Sequence, residues 1–170
     1  YYVESLKIDG TSLFTVDELK GKLKLQEGGP FFLDAVEKDT YQLRLSYGEQ
    51  GYITALVKEK HTFGAEGAKV NVSFSVEEKD RHYIEKVKIV GNDKTRDNVI
   101  RRQLTFYPGE KLDTEKIRDS QRRLSNTGYF DMESGMPAGI NFEQGSAPDK
   151  QNIVVDVKEG RTGMLRFGGG

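Results

Sequence analysis

The chain contains no cysteine and no tryptophan, and it has only two histidines in 170 residues. The absence of cysteine excludes disulfides, thiolate metal sites and cysteine nucleophiles. His61 and His82 have no second histidine at metal-ligand spacing, so each is interpreted as an ordinary strand or turn residue. No stretch approaches the roughly 20 apolar residues of a membrane-spanning helix. The lack of cysteine and of paired histidines predicts no metal site, and we expect no cofactor.

Neither sign of charge is in excess, since 26 Lys and Arg residues face 27 Asp and Glu residues and the net charge is -1. This balance gives no overall attraction to nucleic acid or to an anionic membrane. The basic pairs Arg101–Arg102 and Arg122–Arg123 have acids between them and no aromatic stacking surface beyond Phe106 and Tyr107. We therefore expect no nucleic-acid partner.

Sequence motifs of catalysis are also missing. No serine lies in a nucleophile elbow, and no Walker or dinucleotide-binding glycine pattern occurs. The run Gly168-Gly169-Gly170 has neither a lysine nor a following helix, so it does not form a phosphate loop. Neighbouring acids such as Glu77 and Glu78 are typical of a solvated surface. The prediction is that the protein is not an enzyme.

The most informative feature present is an internal repeat. The segment Tyr2–Gly10 recurs as Arg81–Gly91, and aligning the two terminal glycines gives an offset of 81 residues. The identical pairs at this offset are Tyr2/Tyr83, Glu4/Glu85, Lys7/Lys88 and Ile8/Ile89. Each copy has apolar residues at alternate positions (Leu6, Ile8; Val87, Ile89) and ends at a glycine, which predicts a strand followed by a turn. A repeat at this spacing indicates two similar domains.

The residues after Gly10 predict the order β-α-α-β-β. A helix is expected within 11–25, with Thr15 as N-cap, and a second helix from Asp34 to Gly48. The face of this second helix that should be buried carries Val36, Thr40, Leu43 and Tyr47. A strand is expected over Tyr52–Lys58, a turn over 61–68, and a last strand over Lys69–Glu77 with alternating apolar residues.

The second copy predicts the same order. Its first helix is expected within 92–106 with Thr95 as N-cap, and its second helix from Asp113 to Thr127. Ile117, Ser120 and Leu124 share the predicted buried face of that second helix. A strand should open near Phe130, and a long polar excursion from Pro137 to Gln151 should replace the turn of the first copy. Ile153, Val155 and Val157 belong to the expected closing strand.

The predicted fold class is α+β, with two tandem domains over residues 1–79 and 80–160. Each domain should contain a three-stranded mixed sheet packed on two helices. A low hydrophobic fraction of 35% suits two thin domains better than one large core. Each sheet must leave two edges, and an unprotected edge is a template to which another chain can add a strand.

Several segments together resemble the POTRA domain family of outer-membrane β-barrel assembly factors. They are VKIVGN (87–92), VIRRQL (99–104), FYPGE (106–110), RRLSNTGYF (122–130) and the ending VDVKEGRTGMLRFGGG (155–170). The second copy resembles the last POTRA domain before the barrel, and the first copy resembles the domain preceding it. The resemblance implies that residues 161–170 start the first strand of an outer-membrane β-barrel.

The resemblance implies a scaffold at the periplasmic face of the Gram-negative outer membrane. Its partners would be nascent outer-membrane proteins, accessory lipoproteins of the assembly machinery and the protein's own C-terminal membrane β-barrel. The residues expected at the client strand-addition edge are Tyr52, Ile53, Thr54, Ala55, Leu56, Val57 and Lys58 in the first copy and Phe130, Asp131, Met132 and Glu133 in the second. The residues expected to dock accessory proteins are Arg101, Arg102, Thr105, Tyr107 and Glu110.

Two alternatives stay open at the level of sequence. The pair of domains is also similar in architecture to those of TamA-like and two-partner secretion transporters and of the chloroplast import pore. A periplasmic adaptor without a barrel could use the same fold. The residues that follow Gly170 in the full-length gene would distinguish these classes, since a barrel requires a long series of alternating strands.

Overall fold

The computed structural model describes residues 1–127 and 138–157. The chain divides into two compact units, one of Tyr1–Gly48 with Tyr52–Asp80, the other of Glu49–Gly51 with the chain from Arg81. The elements of the first repeat are β1 (Tyr2–Asp9), α1 (Val16–Lys20), α2 (Leu33–Glu49), β2 (Leu56–Phe63) and β3 (Lys69–Glu77). Those of the second repeat are β4 (Tyr83–Val90), α3 (Asp97–Arg101), α4 (Thr114–Asn126), β5 (Ala138–Gln144) and β6 (Lys150–Val157). The predicted α+β class and the order β-α-α-β-β are confirmed.

Each sheet has its last strand in the centre. β3 pairs in parallel with β1 and antiparallel with β2, and β6 pairs in the same way with β4 and β5. The alternation predicted for β3 places Val70, Val72, Phe74 and Val76 in the core at 7% exposure or less. Since side chains alternate across a strand, Asn71, Ser73 and Ser75 lie on the opposite, open face of the sheet.

The glycines that end β1 and β4 are required by both conformation and space. Gly10 has φ +87° and Gly91 has φ +83°, a region that residues with a Cβ rarely adopt. A Cβ at Gly10 would overlap the carbonyl oxygen of Val76, and one at Gly91 would overlap that of Val157. Because these overlaps recur at the offset of 81 residues, the repeated glycine reflects the same close approach of the first strand's end to the central strand.

Glu78 anchors the loop that follows Gly10. Its carboxylate accepts hydrogen bonds from the Leu13 amide (3.0 Å), the Tyr47 hydroxyl (2.7 Å), the Ser12 amide (3.2 Å) and the Ser12 hydroxyl. Partial burial alone would raise the pKa of Glu78, but these donors outweigh it and hold the pKa at about 2. Burial and the bond to Glu78 together raise the pKa of Tyr47. The loop is thus tied to α2 and to the end of β3 through one carboxylate.

A buried polar side chain on the long helix of each unit supports the preceding loop. Asp39 is 1% exposed and accepts the amides of Lys24 (2.7 Å) and Leu25 (2.9 Å). Ser120 is 0% exposed and accepts the amide of Thr105 (2.9 Å). Asp39 and Ser120 are related by the offset of 81 residues, as are Lys24 and Thr105. These bonds satisfy amides that would otherwise be left without partners beneath the helix.

The predicted faces of the two long helices are confirmed for most positions. Ile117, Ser120 and Leu124 are buried on α4, and Val36, Leu43 and Tyr47 are buried on α2. Thr40 is only half-buried, and its hydroxyl bonds the Val36 carbonyl of the preceding turn (2.8 Å).

The first helix of each repeat is shorter than predicted. α1 and α3 have five residues each. Thr15 is confirmed as N-cap of α1, since its hydroxyl accepts the amide of Glu18 (3.1 Å). The prediction for Thr95 is wrong, because Arg96 occupies the N-cap position of α3 and makes no cap bond with its side chain.

The strand bounds also differ from the prediction in both units. Tyr52–Ala55 form a turn in which the Tyr52 amide bonds the Tyr47 carbonyl at the end of α2 (3.0 Å). β2 therefore begins at Leu56, and it continues to Phe63 through residues predicted as a turn. The polar excursion 137–151 contains β5 and a tight turn to β6. Phe130, Asp131, Met132 and Glu133 and the segment 161–170 lie outside the described residues.

Candidate functional site

The outer edge of the first strand is covered in both units by the loop that precedes the long helix. In the first unit the Val3 amide bonds the Gly29 carbonyl (2.9 Å), and the Gly28 amide bonds the Val3 carbonyl (2.8 Å). In the second unit Ile84 makes the same pair of bonds with Glu110 (2.8 Å) and Gly109 (2.7 Å). The loop thus acts as a short added strand, and this part of β1 and β4 cannot accept another chain.

Side chains extend this cover along the same two edges. The Leu6 amide donates to Glu27 (3.1 Å), and this bond, aided by Lys20, lowers the pKa of the Glu27 carboxyl. At the corresponding position of β4, the guanidinium of Arg101 donates to the Val87 carbonyl (3.3 Å). One side of each sheet is therefore blocked by a loop and a charged side chain, a common protection of edge strands.

The outer edge of β2 is open, in that no strand of the described residues pairs with it. The Gly64 amide bonds the Lys69 carbonyl (2.9 Å) at the hairpin end of the β2–β3 ladder. Hydrogen-bonded and non-hydrogen-bonded pairs alternate in an antiparallel ladder. Since Gly64 is hydrogen-bonded to β3, the adjacent Phe63 and every second residue before it point their amides and carbonyls outward. The outward residues are Val57, Glu59, His61 and Phe63.

The predicted client edge overlaps this open edge only in part. Leu56, Val57 and Lys58 lie in β2, whereas Tyr52–Ala55 precede it, and Tyr52 and Ala55 pack against the core. The second half of the edge, Lys60–Phe63, lies beyond the predicted strand. The alternation of His61 and Phe63 with Lys60 and Thr62 is a strand signal that the following glycine obscured.

A groove runs beside the open edge, between β2 and α2. It has a volume of about 300 Å³ and is lined by Val36, Glu37, Thr40, Tyr41, Arg44 and Glu59. Tyr41 is 53% exposed there. A strand added to β2 would turn every second side chain toward this groove, since β2 itself turns Val57 to the core on that face. The groove therefore offers apolar, aromatic and charged contacts to alternate residues of an added strand.

Aromatic side chains mark the hairpin end of the open edge. Phe63 packs edge-to-face on Tyr1 (4.8 Å between centroids) and on Phe31 (6.0 Å). His61 lies against Phe31 (5.5 Å), and its Nδ1 is 2.6 Å from a Glu59 carboxylate oxygen. These contacts fix the side chains of β2 on the helix side.

In the second unit, no strand of the described residues pairs with the outer edge of β5, the equivalent of β2. The Gly145 amide bonds the Lys150 carbonyl (2.8 Å), so the outward backbone groups belong to Ala138, Ile140, Phe142 and Gln144. The β5–β6 turn is held by Glu85, which accepts the hydroxyl and the amide (2.8 Å) of Ser146. These two bonds lower the pKa of the Glu85 carboxyl.

The predicted docking residues separate into two groups in the structure. Thr105 and Glu110 hold the loop: the Thr105 hydroxyl donates to the Lys116 carbonyl (3.0 Å), and Glu110 accepts the Tyr107 amide (2.8 Å). Arg101 is paired with Asp97 (3.2 Å) in addition to its edge-capping bond. Arg102, which follows α3, and Tyr107 project outward, and Tyr107 is 61% exposed.

Among residues 1–127 and 138–157, no group of three or more His, Asp and Glu side chains is arranged to hold a metal ion. The helices in this part of the chain are also too short or too polar to cross a membrane.

The described residues form two repeated α+β modules, each with a loop covering the edge of its first strand. The sequence profile of the POTRA family, described as "Surface antigen variable number repeat", matches residues 1–79 and 82–160. The chain therefore belongs to the POTRA family, as the sequence predicted.

The relatives of the chain include proteins named outer membrane protein assembly factor BamA. The protein of that name from Neorickettsia risticii is 31% identical over 91% of the chain. A crystal structure of Haemophilus ducreyi BamA lacking POTRA domains 1–3 matches 94% of the chain and 30% of its own length, with TM-score 0.82 and 25% identity. POTRA domains 3–5 of Haemophilus influenzae BamA match 94% of the chain and 61% of their own length, with TM-score 0.78 and 20% identity. The chain spans about a fifth of the length of the curated relatives it matches.

Proposed function

We propose that this POTRA pair belongs to an outer-membrane protein assembly factor and receives unfolded outer-membrane proteins by strand addition. The observation that carries the proposal is the asymmetry of each sheet. A loop and a side chain block β1 and β4, whereas β2 and β5 direct alternate amides and carbonyls outward. Backbone pairing is largely indifferent to side-chain identity, so such an edge can accept many extended clients.

The pattern of a barrel strand matches what the edge of β2 offers. Strands of membrane barrels alternate apolar and polar side chains. When such a strand pairs with β2, its apolar residues face the groove beside Tyr41 and Val36, and its polar residues face the open side of the sheet. The names of the relatives and the match to a BamA structure that lacks POTRA domains 1–3 support a position next to a C-terminal membrane barrel, at the periplasmic face of the outer membrane.

A single proline substitution in β2 tests strand addition. The His61 amide points outward and makes no bond to β3, so His61→Pro removes a donor needed by an added strand but none needed by the sheet. His61→Ala is the matched control, because it loses the same imidazole and keeps the amide. We expect an alternating apolar–polar barrel-strand peptide to shift amide resonances of β2 in the wild type and in His61→Ala, and to lose affinity for His61→Pro.

Two results would reject this assignment. Peptide-induced shifts confined to α1 and α2 would place the client on the helices. Equal affinity of His61→Pro and His61→Ala would mean that outward backbone groups of β2 are not used.

We further infer that the accessory lipoproteins dock on the exposed side of α3 and the loop after it. Arg102 forms none of the ion pairs found among the described residues, and Tyr107 presents a large exposed ring five residues further on. Arg102→Glu should therefore weaken pull-down of the accessory lipoprotein without loss of fold. Arg101→Glu is a less specific test, because it also removes the cap of the Val87 carbonyl. Undiminished capture by Arg102→Glu would reject the docking surface.

A further inference from the structure

The open face of the first sheet carries lysines on its accessible edge strand. In the register of β2 with β3, Lys58 lies opposite Ser75 and Lys60 opposite Ser73. Directly opposite residues share a face, so both lysines project on the side away from the helices, where both are exposed. None of the ion pairs formed within the described part of the chain includes Lys58 or Lys60. The edge thus presents two positive charges, each directly opposite a serine, with Glu77 diagonal to Lys58 on the same face.

The same positions differ in the second unit. Opposite Asn152, Val154 and Asp156 of β6, strand β5 places Glu143, Asn141 and Gly139. Glu143 also pairs with Lys88 (3.3 Å), which is the counterpart of Lys7 at the offset of 81 residues. The open face of the second edge is therefore neutral to acidic where that of the first edge is basic. The basic character belongs to β2 and is not a property of the repeated fold.

The backbone geometry places these lysines close to any added strand. Lys58 and Lys60 direct their amides and carbonyls to β3, so they occupy non-hydrogen-bonded positions relative to an antiparallel strand on the outer side. At such positions the facing residues have Cα atoms about 4.5 Å apart, and their side chains are in contact. A glutamate on the incoming strand would pair with each lysine, and a lysine there would be repelled.

We propose that the β2 edge selects client strands that carry acidic residues on their open-face side. This inference rests on the strand addition proposed above and specifies the class of strand admitted. The client has alternate residues that suit the groove beside α2 and, between them, acidic residues opposite Lys58 and Lys60. The same lysines disfavour antiparallel pairing of β2 with the β2 of a second copy, because that would bring lysines together.

Two peptides that differ only at the two open-face positions, Glu in one and Lys in the other, test the selection. An exposed pair of opposite charges contributes about a two- to five-fold change in affinity. For two pairs we expect the wild type to bind the acidic peptide at least about 4- to 25-fold more tightly than the basic one, since repulsion of the basic peptide adds to attraction of the acidic one. Lys58→Glu/Lys60→Glu should invert this preference, and salt should reduce it in both proteins.

Lys7→Glu is the matched control for charge. Lys7 shares the open face and lies opposite Ser73 on the far side of β3. It is three strand spacings, about 14 Å, from an added strand. Because this is a backbone distance and a lysine at the equivalent position, Lys88, reaches the edge strand, Lys7→Glu should change the preference less than Lys58→Glu/Lys60→Glu, which alters charges directly opposite the added strand.

The outcomes separate this inference from the function on which it rests. If the wild type binds neither peptide, strand addition at β2 fails and the selection fails with it. If the wild type binds both peptides equally, strand addition stands and the selection is overturned. If Lys58→Glu/Lys60→Glu binds both peptides more tightly than the wild type does, the lysines only block the edge, and the selection is again overturned.

Discussion

Replacing Glu78 with glutamine removes the negative charge that gathers the Ser12, Leu13 and Tyr47 donors while keeping nearly the same side-chain shape. The carboxyl has a pKa of about 2 in place of its ordinary 4.5. A fully shielded group with this difference would stabilise the fold by about 3 kcal/mol. Because Glu78 is only half-buried, solvent screening reduces the expected contribution to about 1–2 kcal/mol at neutral pH.

The pH dependence gives the sign of the effect. The folded pKa of Glu78 lies below its unfolded value, so the stabilisation is fully present above pH 4.5 and is lost as the pH falls toward 2. We expect Glu78→Gln to be less stable than the wild type at pH 7 and nearly equal to it at pH 2. Half of the difference should be gone near pH 3.

Hydrogen exchange of the Leu13 and Ser12 amides measures the local stabilisation by the Glu78 carboxylate. A local measurement is needed because a chain of two units need not unfold in one step. Glu85→Gln is a useful comparison, since it removes a carboxylate that holds a turn of the second unit and should leave Leu13 exchange unchanged. If wild type and Glu78→Gln kept a constant difference in Leu13 exchange from pH 7 to pH 2, the carboxylate would not be the anchor described here.

Two further predictions use pairs related by structure. In urea unfolding, Gly10→Ala should destabilise the first unit by clearly more than Gly28→Ala. Both positions have positive φ, which costs a residue with a Cβ about 1–2 kcal/mol, but only the Cβ at Gly10 would overlap the Val76 carbonyl oxygen. Equal losses of stability would refute the steric argument. Asp39→Ala should cost about 2–5 kcal/mol by leaving the buried amide of Leu25 and the part-buried amide of Lys24 without an acceptor, and Ser120→Ala about 1–3 kcal/mol by leaving the part-buried amide of Thr105. A smaller loss for Asp39→Ala than for Ser120→Ala would contradict this ranking.

The internal repeat predicted the element order and the two-domain organisation because both copies had to satisfy the same close approaches. Gly10 and Gly91 fit against the central strand in the same way, and such a constraint is visible in sequence as a glycine at a fixed offset. The same offset could have identified Asp39, since it aligns with Ser120, which the helical face already included. An aspartate beside a predicted apolar face carries no sequence signal that its carboxylate accepts amides from the preceding loop.

Lengths of elements were less predictable than their order. Leu23 continues the helical spacing of Val16 and Leu19, yet it lies in irregular backbone after the end of α1, and its side chain is buried. Tyr52 and Ala55 read as strand residues, but the end of α2 holds the turn that contains them. β5 contains Gly139, Asn141 and Gln144, which have low strand propensity, and its pairing with β6 overrides that preference.

The loop that covers the edges of β1 and β4 limits how each sheet can pair with further copies of itself. A sheet with two open edge strands can pair edge to edge with further copies of itself indefinitely, and strand-rich proteins form fibres in this way. Within the described part of the chain, two copies of the first sheet that paired through β2 would use their open edges and leave the loop-covered edges of β1 outside. Growth from a single sheet would stop at a pair, so the open edge that we propose for client strands does not by itself make the module a template for fibres.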